Sequence, residues 1–191
     1  MRYEKGHKDL TRQRIVEVAS RQFREHGVAA VGIAGIMSDA GLTNGAFYAH
    51  FDSKEELVRE VLAHAGFRNK LSRAAENGTG LAGAIRDYLS PNHRDNPGRG
   101  CPTSALVAEI ARHPKATRDA FTGKVDDVID LIAAGLDVTS EAERRRKAVA
   151  IYALMVGTLQ LARAVNDKRL SAEILQSGAD EAVALSGQTG K

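Results

Sequence analysis

Apolar residues recur along this chain at offsets of three and four, and no sustained period-two alternation of the strand kind interrupts them. The pattern predicts an all-α protein of about nine helices. The first runs over 9–26, with Leu10 or Thr11, Ile15, Val18, Ala19 and Phe23 as its apolar stripe. Arg12, Arg14, Glu17, Arg21, Arg24 and Glu25 take the wet side. Gly27 stands where a left-handed residue ends a helix. A short helix follows over 33–40, on which Ile33, Ile36, Met37 and Ala40 share one face. Gly41 makes the turn, Leu42 plugs it, and Thr43 is placed to cap a second short helix reaching His50. Ser53 and Glu56 have capping-box spacing and open a helix over about 54–76, whose apolar positions are Leu57, Val58, Val61, Leu62, Ala65 and Phe67.

Asn77 to Gly80 breaks the chain, and a helix over 81–90 is stopped by Pro91. Residues 91–102, with three prolines and two glycines, are the most loop-like stretch. Helices are then expected over 103–112 and about 115–135, the second with Val125, Val128, Ile129, Leu131 and Ile132 as its core face. Ser140 and Glu143 open another over about 141–166, greasy on several faces through Ile151, Tyr152, Leu154, Met155, Val156, Leu159 and Leu161, and therefore buried on several faces. The last, about 169–185, carries Leu170, Ile174, Leu175, Ala182 and Val183, and residues 187–191 form a flexible tail.

A short helix, a glycine turn and a second short helix crowded with polar and aromatic residues is the helix-turn-helix layout, whose second helix enters the DNA major groove. Composition agrees without adding much. The net charge is only +3, with a sequence pI of about 9.1, which is compatible with nucleic-acid binding but common among other proteins. The single cysteine forbids an internal disulfide and suits a reducing cytoplasm. The charged N-terminus has no apolar region after it, and no apolar run approaches the roughly 20 residues of a membrane span, so a soluble cytoplasmic protein is expected.

The stretch GLTNGAFYAHFDSKEELV, Gly41 to Val58, resembles the recognition-helix segment of the TetR family of one-component transcriptional regulators. Phe47-Tyr48, His50-Phe51 and Lys54 carry the resemblance, together with the turn glycine and the capping threonine. HRDNPGRGCP followed by the ALVAEIA helix is similar to one branch of that family. The resemblance implies a helix-turn-helix three-helix DNA-binding domain over 1–52 and a ligand-binding and dimerisation domain over 53–186. Thr43, Tyr48, His50 and Lys54 would then hold phosphates, and Asn44, Gly45 and Ala46 would face bases. Asn pairs with adenine and Ala touches a thymine methyl. Phe47 and Phe51, four apart, read as core. The sequence departs from the family at Gly32, Ala34 and Gly35, where a capping hydroxyl, a polar residue and an acid are common, so the first short helix should offer fewer contacts.

The resemblance further implies a homodimer, with Ile151, Met155, Leu159 and Ala162 meeting Ile174 and Leu175 across a two-fold axis, although the same residues could serve only the subunit's own core. It implies a double-stranded palindromic operator and release by a small, largely apolar inducer. Phe67, Leu89, Cys101, Leu106, Val107, Ile110, Phe121, Val125 and Tyr152 are the pocket candidates, being apolar and on the appropriate helices. Cys101 precedes Pro102 and lies near Arg94 and Arg99. It reads either as an electrophile- or oxidant-sensing thiol at a helix N-cap or as an inert buried one. A helical binding or scaffold protein with a purely structural helix-turn-helix is a further alternative.

No catalytic constellation is visible, and neither a cofactor nor a metal is expected. Gly78 to Gly83 spells GxGxxG without the strand a dinucleotide fingerprint requires. His93-Arg94-Asp95 lacks the rest of a kinase loop and reads as a polar loop. Cys101, His93 and His113 match no zinc spacing. The run Glu141 to Lys147 reads as a solvated face with internal ion pairs.

Overall fold

The computed structural model describes residues 5–63 and 67–187, with side chains from Lys8 onward. Among the described residues there is no strand. The helices are α1 (Lys5–His26), α2 (Ile33–Asp39), α3 (Lys54–Ala63), α4 (Phe67–Glu76), α5 (Gly80–Tyr88), α6 (Pro91–Asp95), α7 (Pro102–Ile110), α8 (Lys115–Ala134), α9 (Glu141–Ala164) and α10 (Lys168–Ser186). Two short 3-10 helices, Asn44–Ala49 and Pro97–Arg99, complete the order.

Two apolar cores organise these elements. The first gathers Ile15, Val16, Ala19 and Phe23 of α1, Ile36 and Met37 of α2, Phe47 and Phe51. It is closed by Leu57, Val58, Val61 and Leu62 of α3 and by Leu106 and Ile110 of α7. Packing therefore draws α3, on the far side of the expected 52/53 boundary, into the N-terminal unit. The second core joins α4, α5, the end of α8, α9 and α10 around Phe67, Tyr88, Ile132, Ile151, Met155, Leu159 and Leu175.

Helix ends follow local chemistry. Gly27 and Gly41 take the left-handed conformation at φ 83° and 69°, as their positions after α1 and α2 predict. Ser140 Oγ accepts from Glu143 N, and Asp167 caps α10 by accepting from Arg169 N and Leu170 N. At α3 the capping box is half formed: Ser53 Oγ accepts from Glu56 N, while the Glu56 carboxylate accepts from Asp52 N, one residue earlier than the motif requires.

Several expectations are corrected. Pro91 starts a helix instead of only ending one: it is the first residue of α6, with Ser90 Oγ capping His93 N, so half of the loop-like stretch is helical. The helix expected over 54–76 is described as α3 and α4 only, because Ala65 lies outside the described residues. Residues 188–191 of the expected tail also lie outside them. Leu10 is 66% exposed and does not belong to the stripe of α1, whereas Arg12 and Arg24, read as wet, are half-buried and bonded. Arg145, in the charge run of α9, pairs outward with Asp126 and Asp130 of α8.

The proposed dimer residues are corrected as well. Ile151, Met155, Leu159, Ala162 and Leu175 are 0–3% exposed within a single chain, and Ile174 packs partly against them. They fill the protomer's own core because α9 and α10 pack on each other along their length. The large apolar side chains these two helices leave in solvent are Val149, Leu161, Leu170 and Leu185.

The α9–α10 contact depends on Gly178. A Cβ at this position would lie 2.3 Å from Thr158 Oγ1 and 2.9 Å from its Cβ. Thr158 is buried and β-branched, so it cannot swing aside. Gly178→Ala is expected to cost a net 1–2 kcal/mol, about what overpacking takes less what alanine gains in a helix. The urea midpoint measures it, and an unchanged midpoint would show that the helices part freely.

Candidate nucleic-acid interface

The short helix Asn44–Ala49 turns two faces in opposite directions. Phe47 and Phe51, with ring centroids 5.5 Å apart, point into the first core and are 0% and 1% exposed. Thr43, Asn44, Gly45 and Tyr48 face solvent, Tyr48 at 66% exposure, while Ala46 is half-buried. The expected α-helix is a 3-10 helix over this span: Ala46 N donates to Thr43 O and His50 N to Phe47 O, each an i to i+3 bond. Short runs adopt 3-10 geometry readily, and a glycine second in line weakens an α-helix further. Thr43 holds the N-cap position without a side-chain cap bond, so its hydroxyl remains available. A Cβ on Gly45 would meet nothing within 4 Å, so nothing inside the chain demands a glycine there.

The remaining two candidates are anchored. Lys54 Nζ donates to Val28 O at 2.6 Å and lies 5.8 Å above the Phe23 ring, which leaves the ammonium N–H groups to spare. His50 has its pKa lowered by burial first and then by Lys8 and Arg12. Its Nδ1 is buried with no hydrogen-bond partner among the described residues.

The residues that hold this surface in place were not legible from the motif. Arg12 of α1 donates to His50 O, to Glu56 at 3.1 Å and to Glu60, and its guanidinium sits 4.1 Å over the Phe51 ring. On the other side, the Glu109 carboxylate of α7 accepts from Val28 N at 2.8 Å and Ala29 N at 2.5 Å. Glu55 of α3 accepts from Thr117 Oγ1 at 2.6 Å and pairs with His113 Nδ1 at 3.0 Å. Arg24 donates twice to Gly98 O. Each contact joins residues more than forty apart or nearly so, and its only sequence signal is a charge on an otherwise ordinary helix.

The pocket candidates are divided between the two cores. Phe67, Leu89, Cys101, Val125 and Tyr152 belong to the second, whereas Leu106, Ile110 and Phe121 belong to the first, and Val107 is half-buried. The single nine-residue set is corrected accordingly, because α7 turns its middle and end toward the N-terminal unit. Within the second core, the hydroxyls of Tyr88 and Tyr152 are buried and meet no group in hydrogen-bond geometry among the described residues, although Ser104 and Cys101 lie beside the first and Thr103 and Cys101 beside the second. Burial pushes both phenols up, Tyr88 well above the usual value.

Cys101 occupies the N-cap position of α7 with no cap bond from its side chain, and it is 5% exposed. The cations facing it are Arg24 and Arg163, not the expected pair: Arg94 is engaged by Asp95 and Ser171. His93, read as part of a polar loop, is buried at 4% exposure. Its Nδ1 donates to Tyr88 O at 2.7 Å, and its Nε2 accepts from Cys101 N at 2.9 Å.

Among the described residues no cluster of side chains is arranged to hold a metal ion, and no helix is long and apolar enough to cross a membrane. Residues 15–61 match the family model of bacterial regulatory proteins of the tetR family. The chain is 30% identical over 165 residues to the "Probable HTH-type transcriptional regulator ArpR" of Pseudomonas putida, an alignment covering 86% of this chain and 70% of that protein. A TetR-family regulator from Cytophaga hutchinsonii shares the fold with a TM-score of 0.78 at 19% identity, over 98% of this chain and all of the other. The reduced form of Escherichia coli NemR does so with a TM-score of 0.67 at 21% identity, over 90% and 94%. The chain belongs to the TetR family of helix-turn-helix, DNA-binding transcriptional regulators.

Proposed function

We propose that this regulator is a homodimeric repressor that binds a palindromic operator through the 43–54 segment and is released by a small, largely apolar molecule entering the second core. The observation that carries the reading is the two-faced short helix. Its aromatic side is locked in the first core, and its polar side, Thr43, Asn44, Gly45 and Tyr48, is free to meet a groove. The buried Tyr88 and Tyr152 hydroxyls favour an inducer site, since neither is held in good hydrogen-bond geometry and an apolar ligand with one or two polar atoms would meet them. Val149, Leu161, Leu170 and Leu185 favour pairing of α9 and α10 with a second copy. The inducer acts by binding better to the arrangement in which the two heads are wrongly spaced.

Fluorescence anisotropy on DNA from upstream of the chain's own gene tests the operator half. Binding is expected to be sequence-selective, to weaken steeply with salt, and to fall by roughly a hundredfold when Tyr48→Ala is combined with Lys54→Ala. Affinity unmoved by the double substitution would discard the reading.

A further inference from the structure

An open cleft of about 630 Å³ lies between α1, α4 and residues 97–102, and none of its lining residues belongs to the short helix Asn44–Ala49. Its charged lining is one-sided. Arg14, Arg21, Arg24, Lys70, Arg73 and Arg99 converge on it, and Glu17 is the single acid among the lining residues. Six of the chain's 27 lysines and arginines thus meet in one concavity of a protein whose net charge is only +3.

Internal bonds engage half of them, two with an acid. Arg24 is bound to Gly98 O and Ser20 Oγ, Lys70 to Asp87, and Arg21 faces Asp39 at 3.9 Å. Arg14, Arg73 and Arg99 have no ion pair among the described residues. Like charges lining one cleft repel one another, most strongly where they lie within a Debye length of about 8 Å at physiological salt. Folding tolerates such a concentration of like charge most readily where an anion relieves it.

We propose that this cleft binds a compact polyanion, a small molecule carrying two or more phosphate or carboxylate charges. Guanidinium groups pair bidentately with both kinds of oxyanion, and three walls supply them: α1, α4 and Arg99. The volume suits a small molecule better than a lone ion. The walls come from both cores, so an occupant bridges them: α1 builds the N-terminal unit, and α4 belongs to the second core. The proposal is independent of the repressor reading, and its test uses no DNA.

Titration calorimetry of the full chain at constant ionic strength, with pyrophosphate and citrate as probes and chloride as the control, reads the site directly. One saturable event per chain is expected with at least one probe, and comparing the two identifies whether phosphate or carboxylate oxygens are preferred. Arg73→Gln with Arg99→Gln is expected to weaken binding by roughly tenfold or more, Glu17→Gln to strengthen it a few-fold, and Tyr48→Ala to leave it unchanged. Arg73 and Arg99 are exposed, so the double variant keeps its fold, which its urea midpoint verifies. Absence of saturable heat, binding retained in the double variant, or binding lost in Tyr48→Ala would each overturn the proposal.

Discussion

Taken from pH 7 to pH 4, the protein is expected to lose about 3 kcal/mol of stability through His93 alone. Burial is the main cause: it pulls the imidazole from 6.5 down to about 4, helped by Lys70 and Arg163 and opposed by the Tyr88 carbonyl and Asp87. The neutral ring is needed for its geometry, since Nδ1–H donates to Tyr88 O while Nε2 accepts from Cys101 N. Protonation would turn Nε2 into a donor facing a donor. In the window from 6.5 to 4 the unfolded chain takes up a proton that the native state refuses. The contribution is therefore complete above pH 6.5 and lost as pH falls toward 4. The carboxylates held low, Glu55, Glu56, Asp95 and Asp180, add losses of the same sign beginning at lower pH. Urea unfolding at several pH values, on the protein and on His93→Gln, separates the two. The variant should be about 2 kcal/mol less stable at pH 7 through imperfectly satisfied buried groups, and flatter between pH 6.5 and 4.5. Parallel curves for the two proteins would sink the assignment.

Arg12→Met is expected to lower DNA affinity by roughly tenfold or more and stability by about 2 kcal/mol, although Arg12 itself is not among the groups proposed to touch DNA. The substitution keeps an apolar stem over Phe51 and removes the fork that binds His50 O, Glu56 and Glu60. Two carboxylates four apart on α3 are then left facing one another, which is unfavourable on a helix surface. The exit of the short helix also loses its tie to α1, so Tyr48 and Asn44 present a looser constellation. Arg12→Lys, with charge but no planar fork, should fall between. Anisotropy and urea midpoints measured on the same preparations check both effects. Wild-type affinity in Arg12→Met would show that the short helix needs no such strut.

How much of this could be read beforehand follows the range of the interactions. The ends of helices, the apolar stripe of α2 and the inward pair Phe47 and Phe51 rest on neighbours within four positions, and the residue pattern shows them. The 3-10 geometry of the short helix was missed because length and one glycine outweigh a pattern that reads as α. Pro91 was read as a stop because its role at a first helical position depends on Ser90 reaching forward to His93. Pairings such as Glu109 with Val28 and Ala29, or Arg24 with Gly98, link distant residues, and no local periodicity encodes them. The expected dimer residues, covered within the chain itself, show a related limit. Periodicity says that a helix face is buried, and says nothing of whether the cover is the same chain or another.

Helix α7 carries a mechanical consequence. Its N-cap, Cys101, sits in the second core, its middle and end, Leu106 and Ile110, sit in the first, and Glu109 grips the backbone just beyond α1. Nine residues at about 1.5 Å each make a rod of roughly 13 Å, stiff on this scale. A rod seated at both ends converts a small push at one seat into an equal displacement at the other, with no need to soften either core. A displacement of the backbone at Cys101 would then reach the Val28–Ala29 turn through Glu109.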